Sequence, residues 1–403
     1  MAAAFRYVHR SGVNLSASDA TAYFPPSGHD AGAVTTEANA QSLMRQAYTA
    51  KNLFAYVSTY TGTISIVYRS RDSGVNGNLT FTPTTTGVWE DTSNTDTLAS
   101  GDLYCIEGAF TGLGHAEAFA QTVNAVTLEN ATSVGLLLAS TSSEEDFSSL
   151  GNVRIAGSLG PDTATEAETQ RTVRTSATLA KLFVRCSGVS GPVSPTFVTR
   201  VNAAPGAQSV SPTAIGTYED TSNTDTVAIG DEINFKGTTS SGNFRLMLAQ
   251  VQTTSDAIQH VAFDPNLIAS TLDYSYSLDA GNRQTLEVQT QVTMRTTNVL
   301  KNFYTYVSAY SLNATPTVRM RINATDNALG VSPNATGVWE DTSNTIALAA
   351  TDEANYNVDT SAASSGSITC TVVSVEETQP VTSVPSHPLA HIQRYRNASL
   401  LVR

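Results

Sequence analysis

The residues that could do chemistry gather in one short run that occurs three times. Thr86-Gly-Val-Trp-Glu-Asp-Thr-Ser-Asn-Thr95 recurs letter for letter at 336–345, and Gly216-Thr-Tyr-Glu-Asp-Thr-Ser-Asn-Thr224 stands between them. Asp91, Asn94, Asp96 and Asp102 are hard oxygen donors of the kind calcium takes. Their spacing is not that of an EF-hand, and the third copy carries Ile346 in place of Asp96. Calcium is therefore a weak candidate, and no cofactor is expected. Glu90 and Asp91 could act as a catalytic carboxylate pair, as in glycoside hydrolases. Neighbours on a strand point to opposite faces, so the pair predicts no active site. Trp89, Tyr218 and Trp339 share one position beside Asp, Asn and Thr, a combination that suits glycan contact. The competing reading puts these rings in the core. The six histidines and three cysteines fall at non-equivalent places, and no nucleophile–base arrangement can be assembled.

The run belongs to a larger repeat. Gly87, Gly216 and Gly337 set offsets of 129 and 121 residues. The same offsets superpose Glu37 on Glu166 and Glu287, and Arg45 on Arg174 and Arg295. They also superpose Arg71 on Arg200 and Arg321, and Asp102 on Asp231 and Asp352. The chain is a triplication. The retained charges suggest ion pairs Arg71–Glu90, Arg200–Glu219 and Arg321–Glu340, with Asp91 and its equivalents as alternative acids.

The elements that carry these residues read as strands. Val318-Arg-Met-Arg-Ile322 alternates apolar with charged, and Tyr68, Phe197 and Val318 should face the core. Leu53–Val57 is an earlier strand, and Tyr104 and Ile106 lie on a later one. Glu37 to Arg45 opens the unit as a strand or a short helix. Turn-formers recur at the spacing of a sandwich. The expected fold is all-β: three tandem, jelly-roll-like β-sandwiches at 35–158, 159–284 and 285–384. An N-terminal arm (1–34) and a C-terminal arm (385–403) flank them. The C-terminal arm either closes the third repeat or docks on a neighbour.

Composition narrows the function. Only 14% of the 403 residues are charged and the net charge is −13. That balance argues against nucleic-acid binding, which needs clustered Lys and Arg. No apolar run is long enough for a membrane helix, and no secretory signal is visible.

The Gly-Val-Trp-Glu-Asp-Thr-Ser-Asn-Thr-Asp-Thr block, Gly101-Asp102 and Ser73-Gly-Val-Asn-Gly-Asn-Leu-Thr80 carry a resemblance. The units resemble β-sandwich modules of tailed-bacteriophage virion proteins. Copy two keeps Gly230-Asp231, whereas copy three departs with Thr351-Asp352. The resemblance implies a virion location and a non-enzymatic assembly role, as head decoration, spike or fibre, with tail fibre as the alternative. It implies other virion proteins as partners, and a homo-oligomer is expected. A glycan-binding adhesin is the rival reading, and a polysaccharide depolymerase ranks last.

Overall fold

The computed structural model describes residues 3–378 apart from 12–13, 16–20, 31–33, 62–64, 112–118, 133–134, 149, 159–164, 192–193, 255–256, 269 and 277–286. Each repeat contributes eight main strands. Unit 1 contains β1 (Ala3–Ser11), β2 (Thr21–Phe24), β3 (Tyr48–Tyr60), β4 (Ser65–Asp72), β5 (Val75–Phe81), β6 (Gly87–Leu98), β7 (Leu103–Thr111) and β8 (Phe119–Asn130). Unit 2 contains β9 (Gly135–Phe147), β10 (Leu150–Val153), β11 (Ala177–Ser190), β12 (Thr196–Val201), β13 (Ala204–Val210), β14 (Gly216–Val227), β15 (Glu232–Thr238) and β16 (Asn243–Thr253). Unit 3 contains β17 (Ala257–Ile268), β18 (Leu272–Tyr276), β19 (Asn298–Tyr310), β20 (Thr317–Ile322), β21 (Thr325–Val331), β22 (Gly337–Leu348), β23 (Glu353–Asp359) and β24 (Ser367–Thr378).

The pairing order in unit 1 is β1-β8-β3-β6 in one sheet and β2-β7-β4-β5 in the other. Units 2 and 3 repeat this order, strand for strand. Two four-stranded sheets wound in this sequence are a jelly roll. Gly28–Asp30 pairs in parallel with β1 and β9, so one continuous sheet runs through the first two units. Each sandwich has its own core, and Tyr68, Phe197 and Val318 are buried in theirs as the alternation requires. Among the described residues no helix is long and apolar enough to cross a membrane.

The boundaries differ from those the motif suggests. Residues 3–11 are not an arm: β1 pairs with β8 from Ala3↔Asn130 to Arg10↔Val123. β2 pairs with β7. The second unit begins at Gly135 rather than residue 159, and the third at Ala257 rather than 285. The first two strands of each unit share no residue pattern, so a register anchored on the motif cannot see them. The C-terminal arm at 385–403 lies outside the described residues.

Two local devices recur in every unit. The turn between β4 and β5 uses Ser73 (φ 49°) and Gly74 (φ 85°). Asn202-Ala203 and Asn323-Ala324 take the same place, again with positive φ at both residues, as a type I′ turn requires. The second device is a bulge. β3 pairs Lys51 with Thr95 and Leu53 with Asp91, so five residues of β6 stand against three of β3. The residue opposite the bulge is left-handed each time: Asn52 (φ 55°), Lys181 (φ 58°) and Asn302 (φ 54°). The extra residues push Thr-Ser-Asn out of the sheet, and with the Thr that rejoins the ladder they form a four-residue knuckle.

Candidate functional site

Asp91 organises the knuckle. Its carboxylate accepts from the backbone N–H of Thr80 (2.8 Å), Ser93 (3.0 Å) and Asn94 (3.1 Å), and from the Asn94 side-chain amide (2.9 Å). Asp220 and Asp341 accept the matching set. Burial pushes the Asp91 carboxyl up, but these donors outweigh it and hold the group below its ordinary range. Asp96 accepts from Ser70 Oγ and from the N–H of Asn78 (2.5 Å) and Leu79 (3.3 Å). Asp102 caps a turn through Ala99 N–H (2.6 Å). The calcium candidates thus spend their lone pairs on N–H and O–H groups. Asn94 turns its donor, not its carbonyl, toward Asp91. Among the described residues no three His, Cys, Asp or Glu side chains gather to hold a metal.

Asp91 and Asp96 also explain how an edge is protected. β5 and β6 are edge strands of opposite sheets, and the two carboxylates take the N–H groups of Asn78, Leu79 and Thr80 that a stray strand would otherwise seek. Units 1 and 2 keep a hydroxyl–carboxylate pair here, Ser70–Asp96 and Thr199–Asp225. Unit 3 replaces both members with buried apolar residues, Met320 and Ile346. The Gly77 and Gly206 of the polar pairs become Asn327 there. A Cβ on Gly77 would lie 2.2 Å from Ser70 Oγ, so glycine is required only where the polar pair is kept.

The aromatic position is half-buried against its own core in each unit. Trp89 Nε1 donates to Thr85 O (3.0 Å) and Trp339 Nε1 to Ala335 O (3.1 Å). Tyr218 Oη donates to Ala214 O (2.9 Å). The polar handle a sugar would use is committed to the ring's own loop.

The repeated charges pair differently from the expected Arg71–Glu90 scheme. Arg71 grips Glu37 with two bonds (3.1 and 3.0 Å), Arg200 grips Glu166 (2.8 and 2.9 Å), and Arg321 grips Glu287 (2.6 and 3.0 Å). Each of these arginines also donates to the carbonyl of the β-turn, at Gly74, Ala203 or Ala324. The pair fastens the segment before β3, β11 or β19 to the hairpin. That segment is a one-turn helix at Glu37–Ala40 and a 3-10 turn at Glu166–Glu168 and Glu287–Gln289.

Glu90, Glu219 and Glu340 serve a second set of contacts, between units. Arg45 of unit 1 reaches Glu219 of unit 2 at 2.8 Å. Arg174 of unit 2 pairs with Glu340 of unit 3. Arg295 of unit 3 pairs with Glu90 of unit 1, with Nε–Oε1 at 2.9 Å. Each unit gives an arginine to the next, and the third gives to the first. The three jelly rolls therefore close into a ring with pseudo-threefold symmetry. Apolar contacts follow the same cycle: Leu43 lies with Phe183 and Leu248, Val173 with Tyr304 and Val372, and Val292 with Phe54 and Ala125. The sequence register brings Arg45, Arg174 and Arg295 onto one position, but it does not say that their partners lie in the neighbouring copy.

No family model matches the sequence, and no curated protein matches it. Among solved structures, a chain described under "The Triple Jelly Roll Fold and Turret Assembly in an Archaeal Virus" is similar over 84% of this chain and 80% of that chain. The identity is 13% and the TM-score 0.16, a superposition too loose to carry a functional argument.

Proposed function

We propose that this chain is a non-enzymatic structural protein of a virus particle, carried on the head surface of a tailed bacteriophage as decoration, spike or fibre. One observation supports it most: the repeated acids and arginines are spent on building the scaffold. Glu37 and Arg71 lock each unit, Arg45 and Glu219 lock neighbours, and Asp91 and Asp102 cap loops. What the repetition preserves is a trimer-like body rather than a reaction centre. A body of that kind suits symmetric assembly. A sparsely charged, hydroxyl-rich surface on a net acidic chain suits solubility before assembly. The test is mass spectrometry of purified particles, followed by electron microscopy of particles labelled with antibody to the chain. Label on the head supports the reading. Label on tail tips, together with glycan binding lost in Trp89→Ala, favours the adhesin. Absence from particles overturns the virion assignment.

A further inference from the structure

We propose that the three Thr-Ser-Asn-Thr knuckles are docking points for a homotrimeric protein of the particle, one subunit seated at each seam; this rests on the virion reading above. The repeat supplies its own comparison of what the fold needs. Residues 92–95, 221–224 and 342–345 are identical, and every one is exposed. The fold accounts for the asparagine, whose amide serves the neighbouring aspartate. It does not account for the hydroxyls. Among the described residues, the side chains of Thr92, Ser93, Thr95 and their counterparts make no hydrogen bond to another part of the chain. Valine or isoleucine would satisfy the strand equally well at Thr95, which pairs with Lys51, and Thr92 and Ser93 stand out of the sheet, where no strand preference selects them.

Exposed positions on the facing hairpin have drifted. Val75 corresponds to Ala204 and Thr325, and Asn76 to Pro205 and Asp326. An exposed hydroxyl that bonds only solvent should drift as these do. Three copies held identical point to one external demand met three times. The placement gives the symmetry of that demand, because each knuckle begins two residues after a seam glutamate and the seams follow the cycle of the ring. A partner that meets all three at once must itself present three equal surfaces. Its contacts are uncharged, made to hydroxyls, so the attachment should resist salt.

The test uses particles assembled without this chain as the probe and cosedimentation as the assay. Thr92→Val, Ser93→Ala and Thr95→Val are made together in one unit, in each unit separately, and in all three. Melting temperature should stay within about 2 °C, as for surface substitutions. Each single-unit variant should lose about tenfold or more in apparent affinity, by a similar factor whichever unit is changed, and the all-unit variant should not bind. Unchanged binding, a loss confined to one unit, or a lowered melting temperature overturns the proposal. Competition by free host polysaccharide, or self-association of the chain through the knuckles, also overturns it. If the wild-type chain itself ignores the particles, the virion reading falls and takes this inference with it.

Discussion

Removing the arginine that closes the ring should cost more than removing its counterpart at the first seam. Arg295 meets Glu90, whose side chain is only 6% exposed. Arg295→Met leaves that carboxylate buried without its cation, which costs roughly 3 kcal/mol, the low end for a broken buried pair because other contacts of Glu90 remain. Arg45→Met leaves Glu219, which is 37% exposed and can turn to water. The loss there is about 1–2 kcal/mol, most of it from the guanidinium's bond to Lys181 O and its stacking over Phe183 at 5.6 Å. Urea unfolding of Arg295→Met, Glu90→Leu and the double variant measures the coupling. The double variant should recover at least half of the Arg295→Met loss. Equal losses at the two seams, or no recovery in the double variant, would refute the argument that burial of the acid sets the cost.

Three other outcomes follow from the same geometry. Ile346→Asp alone should destabilise by about 3–5 kcal/mol, because Met320 offers no donor, and adding Met320→Thr with Asn327→Gly should restore most of it; thermal unfolding of the two variants decides this. Arg171 is fully buried in the seam between units 2 and 3, its Nε and Nη1 bond nothing, and burial pushes it down to about 9. Arg171→Val, which copies Val292, removes that desolvation cost together with a cation facing buried Glu376, which keeps Lys301 at 3.3 Å, so the two effects should offset to within about 1 kcal/mol in the same assay. The lowered carboxyls of Asp91, Asp220 and Asp341 give stability that is present above the unfolded carboxylate pKa of about 3.9 and is lost as pH falls through the lower folded values. Asp91→Asn should lessen the fall in melting temperature below about pH 4.

Much of the fold was legible because its signals are local. Alternation placed Tyr68, Phe197 and Val318 in the cores, and turn residues set the strand lengths. The first two strands of each unit escaped because Ala3–Ser11, Gly135–Phe147 and Ala257–Ile268 share no register. Their identity comes from pairing with the last strand of the same sandwich, which is a long-range fact. The ion pairs were half legible. Glu37, Arg45, Arg71 and Glu90 repeat in register, so two acids and two arginines per copy need partners. Nothing in a repeat says whether a partner lies in the same copy or the next, and the obvious choice, Arg71 with Glu90, was the wrong one. The segment at Glu37 also gave little to read, since Glu-Ala-Asn-Ala lacks β-branched residues and folds into a single helical turn.

A ring of three separate chains would have three identical seams, and any change would appear in all of them. Covalent linkage removes that constraint, and the seams have used the freedom. The first carries Phe183 under Arg45, the second buries Arg171 near Tyr304 and Glu376, and the third puts Val292 against Phe54. Polar core pairs have likewise been exchanged as whole sets. The Asn234 side-chain amide donates to Thr169 Oγ1 at 3.0 Å and that of Asn355 to Thr290 Oγ1 at 2.9 Å, while unit 1 holds Cys105 and Ala40 in their places. Replacing both partners of a buried bond together is nearly neutral, which is how such swaps become tolerable. Interiors and seams that vary this freely show that folding does not demand identity among the copies. The exposed Thr-Ser-Asn-Thr knuckles, which fold no core and close no seam with their hydroxyls, are identical all the same. Divergence where packing could compensate, and sameness where nothing inside the molecule compensates, place the constraint on the outer surface of the ring.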